Sequence, residues 1–237
     1  AMRIPHSESL PVVLYAGMPS RFYDFLDLVG IPLARRILVD MDLPIRFRSV
    51  WRASSPLYMG MTDMKQVYWW REGPKFIHTE VRARALSPGN LSNVARPILY
   101  VVRGPQKWRR ILNEDAVIDC VIRHGGIPIT LDGLSAADQV KLVGNARAMI
   151  LHSGAANAIS LFAPVDCAIV EMQPTNVSAL FGPMSYAVSL GQPYARLPCR
   201  EVSPQESRAA GLVMNSDHSF DADYVVDCKM LDVYLKA

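Results

Sequence analysis

From residue 97 to residue 172 short apolar runs alternate with stretches of helical periodicity. This pattern restricts the fold more than any other feature of the chain. The runs are Pro97–Val102, Gly126–Thr130, Ala148–Leu151 and Cys167–Met172. Between them lie Glu114–Arg123, Ala136–Asn145 behind a capping Ser135, and Ala155–Phe162. Runs this short and this continuously apolar read as strands covered on both faces, as in a parallel sheet. Strands that alternate with helices argue for an α/β, doubly wound parallel sheet.

The N-terminal part is less regular. Pro11–Tyr15 and Arg36–Asp40 read as strands around a helix that Ser20 opens, and Gly30-Ile-Pro32 should break that helix. Lys65–Trp70 reads as a strand and Lys75–Thr79 as a further one, before a loop at Ser87–Asn93. A short strand at Asp223–Asp227 and a helix at Lys229–Leu235 close the chain. The division expected is 1–95, a small N-terminal unit; 96–216, the ligand-binding unit; and 217–237, the closing strand and helix.

Half of the 237 residues are hydrophobic and 20% are charged, which excludes a disordered or fibrous chain. No window approaches a transmembrane span. The N-terminus lacks the apolar core of a signal peptide, and the four cysteines, which form no local pair, fit a cytoplasmic location best. Basic residues exceed acidic ones, 25 to 22, without a dense basic block, and nucleic acid is not an expected partner. Arginine-rich basic composition mildly favours an anionic ligand, and it also follows from a GC-rich genome. Cys120, Cys167, Cys199 and Cys228 are far apart and form no C-x-x-C pair, so buried free thiols are expected. His6, His78, His124 and His218 are scattered and spell no metal site.

The segment His152-Ser-Gly-Ala-Ala-Asn157 follows a strand and opens a helix. Ligands of open α/β sheets bind beyond the carboxyl ends of strands. Small residues there admit a ligand to the backbone, and helix N-terminal amides suit a diphosphate. The same residues also suit a tight turn that only packs. Glu171 ends the next strand, where ribose hydroxyls are read in dinucleotide folds, although the chain lacks G-x-G-x-x-G. Arg103, Arg109 and Arg110 stand after the first strand of this half as an anion site or a solvated loop, and Asn113 could be a helix N-cap. Ser153 is not in G-x-S-x-G, which argues against a hydrolase nucleophile. Tyr68-Trp-Trp70 could stack on a sugar or belong to the core.

The order of Tyr100-Val-Val-Arg103, Arg110-Ile-Leu-Asn-Glu114, Leu134-Ser-Ala-Ala-Asp-Gln139, His152–Asn157, Leu161-Phe-Ala-Pro164 and Val170-Glu171 resembles glycosyltransferase family 61. The resemblance implies a GT-B arrangement of two Rossmann-like domains, the N-terminal one small. It implies an inverting, metal-independent transfer of a sugar from a nucleotide-sugar donor to a glycan acceptor, with no cofactor. By the same resemblance His152 and the amides of Ser153, Gly154 and Ala155 hold the diphosphate, with Asn157 in the same turn. Arg103 and Arg110 neutralise it, Asn113 belongs to the family's R-x-x-N-E element, and Glu171 binds the ribose. The turn reads H-S-G-A-A-N where the family has an H-G-A-G-L-T-N-like turn. Phe22-Tyr23-Asp24 stands where the family keeps an aromatic–His pair. Inverting transfer needs a base, and Asp24 is the first candidate and Asp40 the second. The spellings Asp40-Met-Asp42 and Asp221-Ala-Asp223 lie outside the donor unit and are read as structural. The alternative is a catalytically silent GT-B-like module that binds a nucleotide or glycan. Either could act as an oligomer or within a larger glycosyltransferase assembly.

Overall fold

The computed structural model describes residues 9–40, 42, 44–50, 57–59, 67–69, 72–86, 95–102, 109–175, 182–212 and 222–236. The chain begins with β1 (Val12–Tyr15), α1 (Ser20–Leu28), a 3-10 turn at Leu33–Arg35 and β2 (Arg36–Val39). β1 and β2 pair in parallel, Val12 opposite Arg36 through Tyr15 opposite Val39. They form one βαβ unit around α1. Pro19, not Ser20, occupies the N-cap. Gly30, at φ 83°, ends the helix, with its N–H on Asp27 O at 3.0 Å and Ile31 N on Leu26 O at 2.8 Å. Only a residue tolerant of positive φ makes this C-terminal stop without strain, so the helix stops short of Pro32.

An antiparallel pair follows, β3 (Leu57–Met59) with β4 (Val67–Trp69), and then α2 (Glu72–Ala85). The expected strand at residues 75–79 is therefore wrong, because it lies within α2. Phe76, Ile77 and Thr79 have strand-forming side chains, but burial follows a helical period through Pro74, Val81 and Ala85. Packing against neighbouring helices overrides local propensity, and Phe76 and Ile77 remain exposed.

The remainder is built on β5 (Ile98–Val101), α3 (Glu114–Arg123), β6 (Ile127–Ile129), α4 (Ala136–Val143), β7 (Ala148–His152), a 3-10 helix at Ala155–Phe162 and β8 (Ala168–Pro174). It ends in α5 (Gly182–Leu190), β9 (Tyr194–Glu201), α6 (Pro204–Ala209), β10 (Tyr224–Val225) and α7 (Cys228–Lys236). The six-stranded sheet has the order β10-β9-β8-β7-β5-β6, parallel except for antiparallel β10. Ser135 caps α4 as expected, accepting from Asp138 N at 3.2 Å. The helix after β7 has the expected span but 3-10 geometry.

Side chains alternate between two cores. Leu99, Val101, Met149, Leu151 and Ile169 meet α2, α4, α5 and the 3-10 helix. Ile98, Tyr100, Ile150, Val170 and Met172 meet Val117, Cys120 and Val121 of α3 and Leu231 of α7. This alternation within apolar runs is the signature of a sheet buried on both faces. α1 packs on α4, and Phe25 stacks on Phe162 with ring centroids 5.5 Å apart.

Candidate functional site

In the parallel part of the sheet the chain lays β6 on one side of β5 and β7 on the other. The strand order reverses between β5 and β7. At such a reversal the crossovers leave to opposite faces, and a crevice opens beyond the carboxyl ends of the two strands. Here those ends are Val101–Val102 and His152. Arg103 lies outside the described residues.

His152 is 3% exposed, and its Nδ1 lies 3.4 Å from Ser153 O. Ser153 is fully buried, and its N–H bonds Met172 O at 3.0 Å, so the turn stays anchored to β8. Gly154 is extended, at φ 162°, and partly exposed. Asn157 N–H bonds Gly154 O at 3.1 Å, which closes the first 3-10 turn. The N–H groups of Ala155 and Ala156 then precede any partner the helix can supply. No acid stands in this first turn, whereas α3 opens on Glu114 and Asp115. Of the two helices that start at the crevice, the one after His152 is thus the better host for an anion.

Asn157 and Glu171 meet under this helix. Asn157 Nδ2 donates to Glu171 Oε1 at 3.4 Å, and Tyr194 OH donates to Oε2 at 2.7 Å. Glu171 is fully buried in mid-strand, paired with Leu151 and Arg196. Burial pushes its carboxyl above the ordinary value, against the Tyr194 hydrogen bond and the Arg196 charge. Tyr194 was not among the sequence candidates. Neither was Gln173, two residues on and on the same face. Gln173 is 1% exposed, and neither amide atom has a hydrogen-bond partner among the described residues. Asn157 Oδ1 is likewise buried without a partner among the described residues. Buried amides are rarely left so, and these mark the polar end of β8. The period-two spacing from Glu171 to Gln173 was the available sequence signal.

The raised Glu171 carboxyl has a consequence for stability. Below the unfolded-state value, near 4.5, both states are protonated and Glu171 costs nothing. As pH rises through the folded value, the folded state must ionise a buried group or hold its proton, and stability falls. Glu171→Gln, which cannot ionise, should therefore gain on the wild type between pH 4 and neutrality in urea unfolding. A difference independent of pH would show that Glu171 titrates normally.

In the R-x-x-N-E element the side chains of Arg110 and Asn113 bond the residues that flank β10. Arg110 Nε and Nη2 donate to the two oxygens of Asp223 at 3.0 and 2.7 Å, and Arg110 N donates at 2.8 Å. Ser207 OH adds a fourth bond at 3.1 Å. Burial raises the Asp223 carboxyl, but the Arg110 and Ser207 bonds outweigh it and hold the group below its ordinary value. Asn113 does not cap α3 with its side chain. Its amide clamps the backbone of Val226, Nδ2 to O at 2.9 Å and Oδ1 from N at 3.0 Å. Glu114 accepts from Tyr100 OH at 2.7 Å. Arg109, at φ 55°, is the one positive-φ residue other than glycine among the described residues.

The two candidate bases stand apart. Asp24 is exposed on α1, beside Phe25. Phe25 touches Phe162, at the far end of the 3-10 helix from His152, and eight residues of that geometry rise about 16 Å. Asp40 is exposed just beyond the carboxyl end of β2, where its Oδ1 accepts Asp42 N at 3.0 Å. Of the aromatic run, Trp70 lies outside the described residues, as do His6, His218 and Asp221. His78 is half-buried on α2, with Nδ1 2.7 Å from Leu161 O. No described helix is long and apolar enough to cross a membrane.

A search of curated proteins finds no match to this chain. The family model described as Glycosyltransferase 61 matches residues 24–170, more than half of the sequence, from within α1 to within β8. The turn at the strand reversal and the R-x-x-N-E element both lie inside that span, and the chain belongs to glycosyltransferase family 61.

Proposed function

We propose that the chain transfers a sugar, with inversion, from a nucleotide-sugar donor to a glycan acceptor, and that the donor diphosphate sits in the crevice between β5 and β7. The observation that carries this reading is the strand-order reversal, with the acid-free turn His152–Ala155 at its mouth. His152 and the backbone amides of Gly154 and Ala155 face the diphosphate, and Arg103 neutralises its charge. Charge grows on the diphosphate as the glycosidic bond breaks, and fixed donors aimed there lower the barrier. Asn157, held by Glu171, and Gln173 supply hydrogen bonds to the rest of the donor. Glu171 acts through Asn157 and not on a ribose oxygen, since its two oxygens already accept from Asn157 and Tyr194.

The proposed arrangement is of GT-B type, with the βαβ unit of residues 12–39 on the acceptor side. Ligands meet parallel strands at their carboxyl ends, so Asp40, just beyond β2, precedes Asp24 as the base that takes the acceptor proton. Divalent metal is not needed in this reading. Asp223, one of the few acids in an Asp-x-Asp spelling, is committed to Arg110.

A thermal-shift screen over nucleoside diphosphates and nucleotide sugars tests the reading. A donor at 100 times its Kd should stabilise the protein by about 2.7 kcal/mol. Turnover of that donor should not rise with Mn²⁺ or Mg²⁺, and Asp40→Asn should bind donor but not transfer it. Failure of every nucleotide to shift the transition would end the proposal. Donor binding with no turnover would favour the silent module.

A further inference from the structure

The sequence scatters Cys120, His124, Cys228 and Asp232 over more than a hundred positions. The fold lays α3 and α7 side by side, and it does so in register. Cys120 Sγ lies 3.7 Å from Cys228 O, and His124 Nε2 lies 2.7 Å from Asp232 Oδ1, both pairs 108 residues apart in the chain. Cys120 and His124 are four residues apart, one turn along α3 and its C-cap, and so lie on one face. The thiol of Cys120, a ring nitrogen of His124 and a carboxylate oxygen of Asp232 all fall within 4.8 Å of one another.

We infer that Cys120, His124 and Asp232 form a binding site for a thiophilic divalent cation such as Zn²⁺. One thiolate, one imidazole and one carboxylate make a donor set of the kind Zn²⁺ accepts, and ligand-to-metal distances of about 2.0–2.3 Å bring ligand atoms to within about 4 Å of each other. Three protein ligands leave the fourth tetrahedral position to water. Cys228 is not counted among them, because its sulfur faces Asn113 and the backbone of Val226. The surroundings support the geometry. Lys236 holds the second oxygen of Asp232, which leaves Oδ1 to the site, as carboxylate ligands are commonly oriented by a neighbour. Arg123 is the other cation beside Cys120, on the exposed face of α3.

In this position the metal would bridge two helices. α3 runs from the crevice edge of the sheet to the opposite edge, where β6 starts, and Cys120 and His124 lie in its last turn and C-cap. The metal would pin α7 to α3 at the edge away from the donor. The inference does not depend on the proposed transfer, and its test uses no donor.

The test is a Zn²⁺ titration of the reduced, chelator-stripped full chain by calorimetry, with Co²⁺ as a spectroscopic probe. One Zn²⁺ per chain is expected, with a rise in Tm. Co²⁺ should give the visible bands of a tetrahedral site and a near-ultraviolet thiolate charge-transfer band. His124→Gln and Asp232→Asn should each weaken Zn²⁺ by about 100-fold or more, at least the cost of losing an outer-shell partner. Cys120→Ser should abolish the charge-transfer band. Should the buried Cys120→Ser variant not fold, His124→Gln and Asp232→Asn at the helix surface decide alone. No stoichiometric Zn²⁺, or Zn²⁺ held equally by these variants, would overturn the site.

Discussion

Arg110→Ala should cost about 3–5 kcal/mol of unfolding free energy, the usual consequence of stripping the partner from a buried charge. Asp223 has a side chain 1% exposed, and four hydrogen bonds reach its carboxylate. Without the guanidinium it keeps only the Arg110 amide and Ser207. Stabilities of 5–15 kcal/mol are typical, so the variant should unfold at a much lower denaturant concentration. The pair also sets an acid limit. A carboxyl held below its ordinary value contributes fully above the unfolded value, and the contribution is lost as pH falls through the folded one. Wild type and Arg110→Ala should therefore converge in stability below about pH 4. Replacing both partners with apolar residues of similar volume should restore much of the loss. The sequence motif had suggested that Arg110 neutralises the diphosphate. An Arg110→Ala variant with wild-type stability and no transfer would return it to that role. Urea unfolding beside a transfer assay distinguishes the two.

His152→Ala should lower kcat/KM for the donor by roughly 100-fold or more, comparable to loss of one donor to a developing negative charge. The residue ends β7 at the reversal of strand order, and its backbone leads into the amides of the 3-10 helix. Being 3% exposed, it is held by packing and needs little reordering on binding. His152→Asn keeps a donor near the same place and should recover part of the loss. Calorimetry with the nucleoside diphosphate separates a binding defect from a folding defect, which would instead appear in Tm. Unchanged donor affinity in His152→Ala would remove this residue from the site.

The alternation of apolar run and amphipathic stretch between residues 97 and 172 by itself determines the doubly wound sheet, because strands buried on both faces must be apolar throughout. The turn at His152 was legible as the break between a strand and a helix, because small residues suit a tight turn whether it packs or meets a ligand. β9 was not legible. Its strand alternates polar residues, contains Pro198, and pairs with β10 over only two residues, so it behaves nearly as an edge. Residues 75–79 of α2 carry a strand-like local sequence, because the buried face of this helix is defined only by what lies beneath it. The polar partners were decided entirely by the tertiary structure. Arg110 meets Asp223 across 113 residues, and His124 meets Asp232 across 108. A hydrogen bond depends on distance in space, and the packing of α3 against β10 and α7 leaves no periodic mark in the sequence. Local patterns determine which segments become strands and helices; which charged groups lose their water together is determined only when those segments pack.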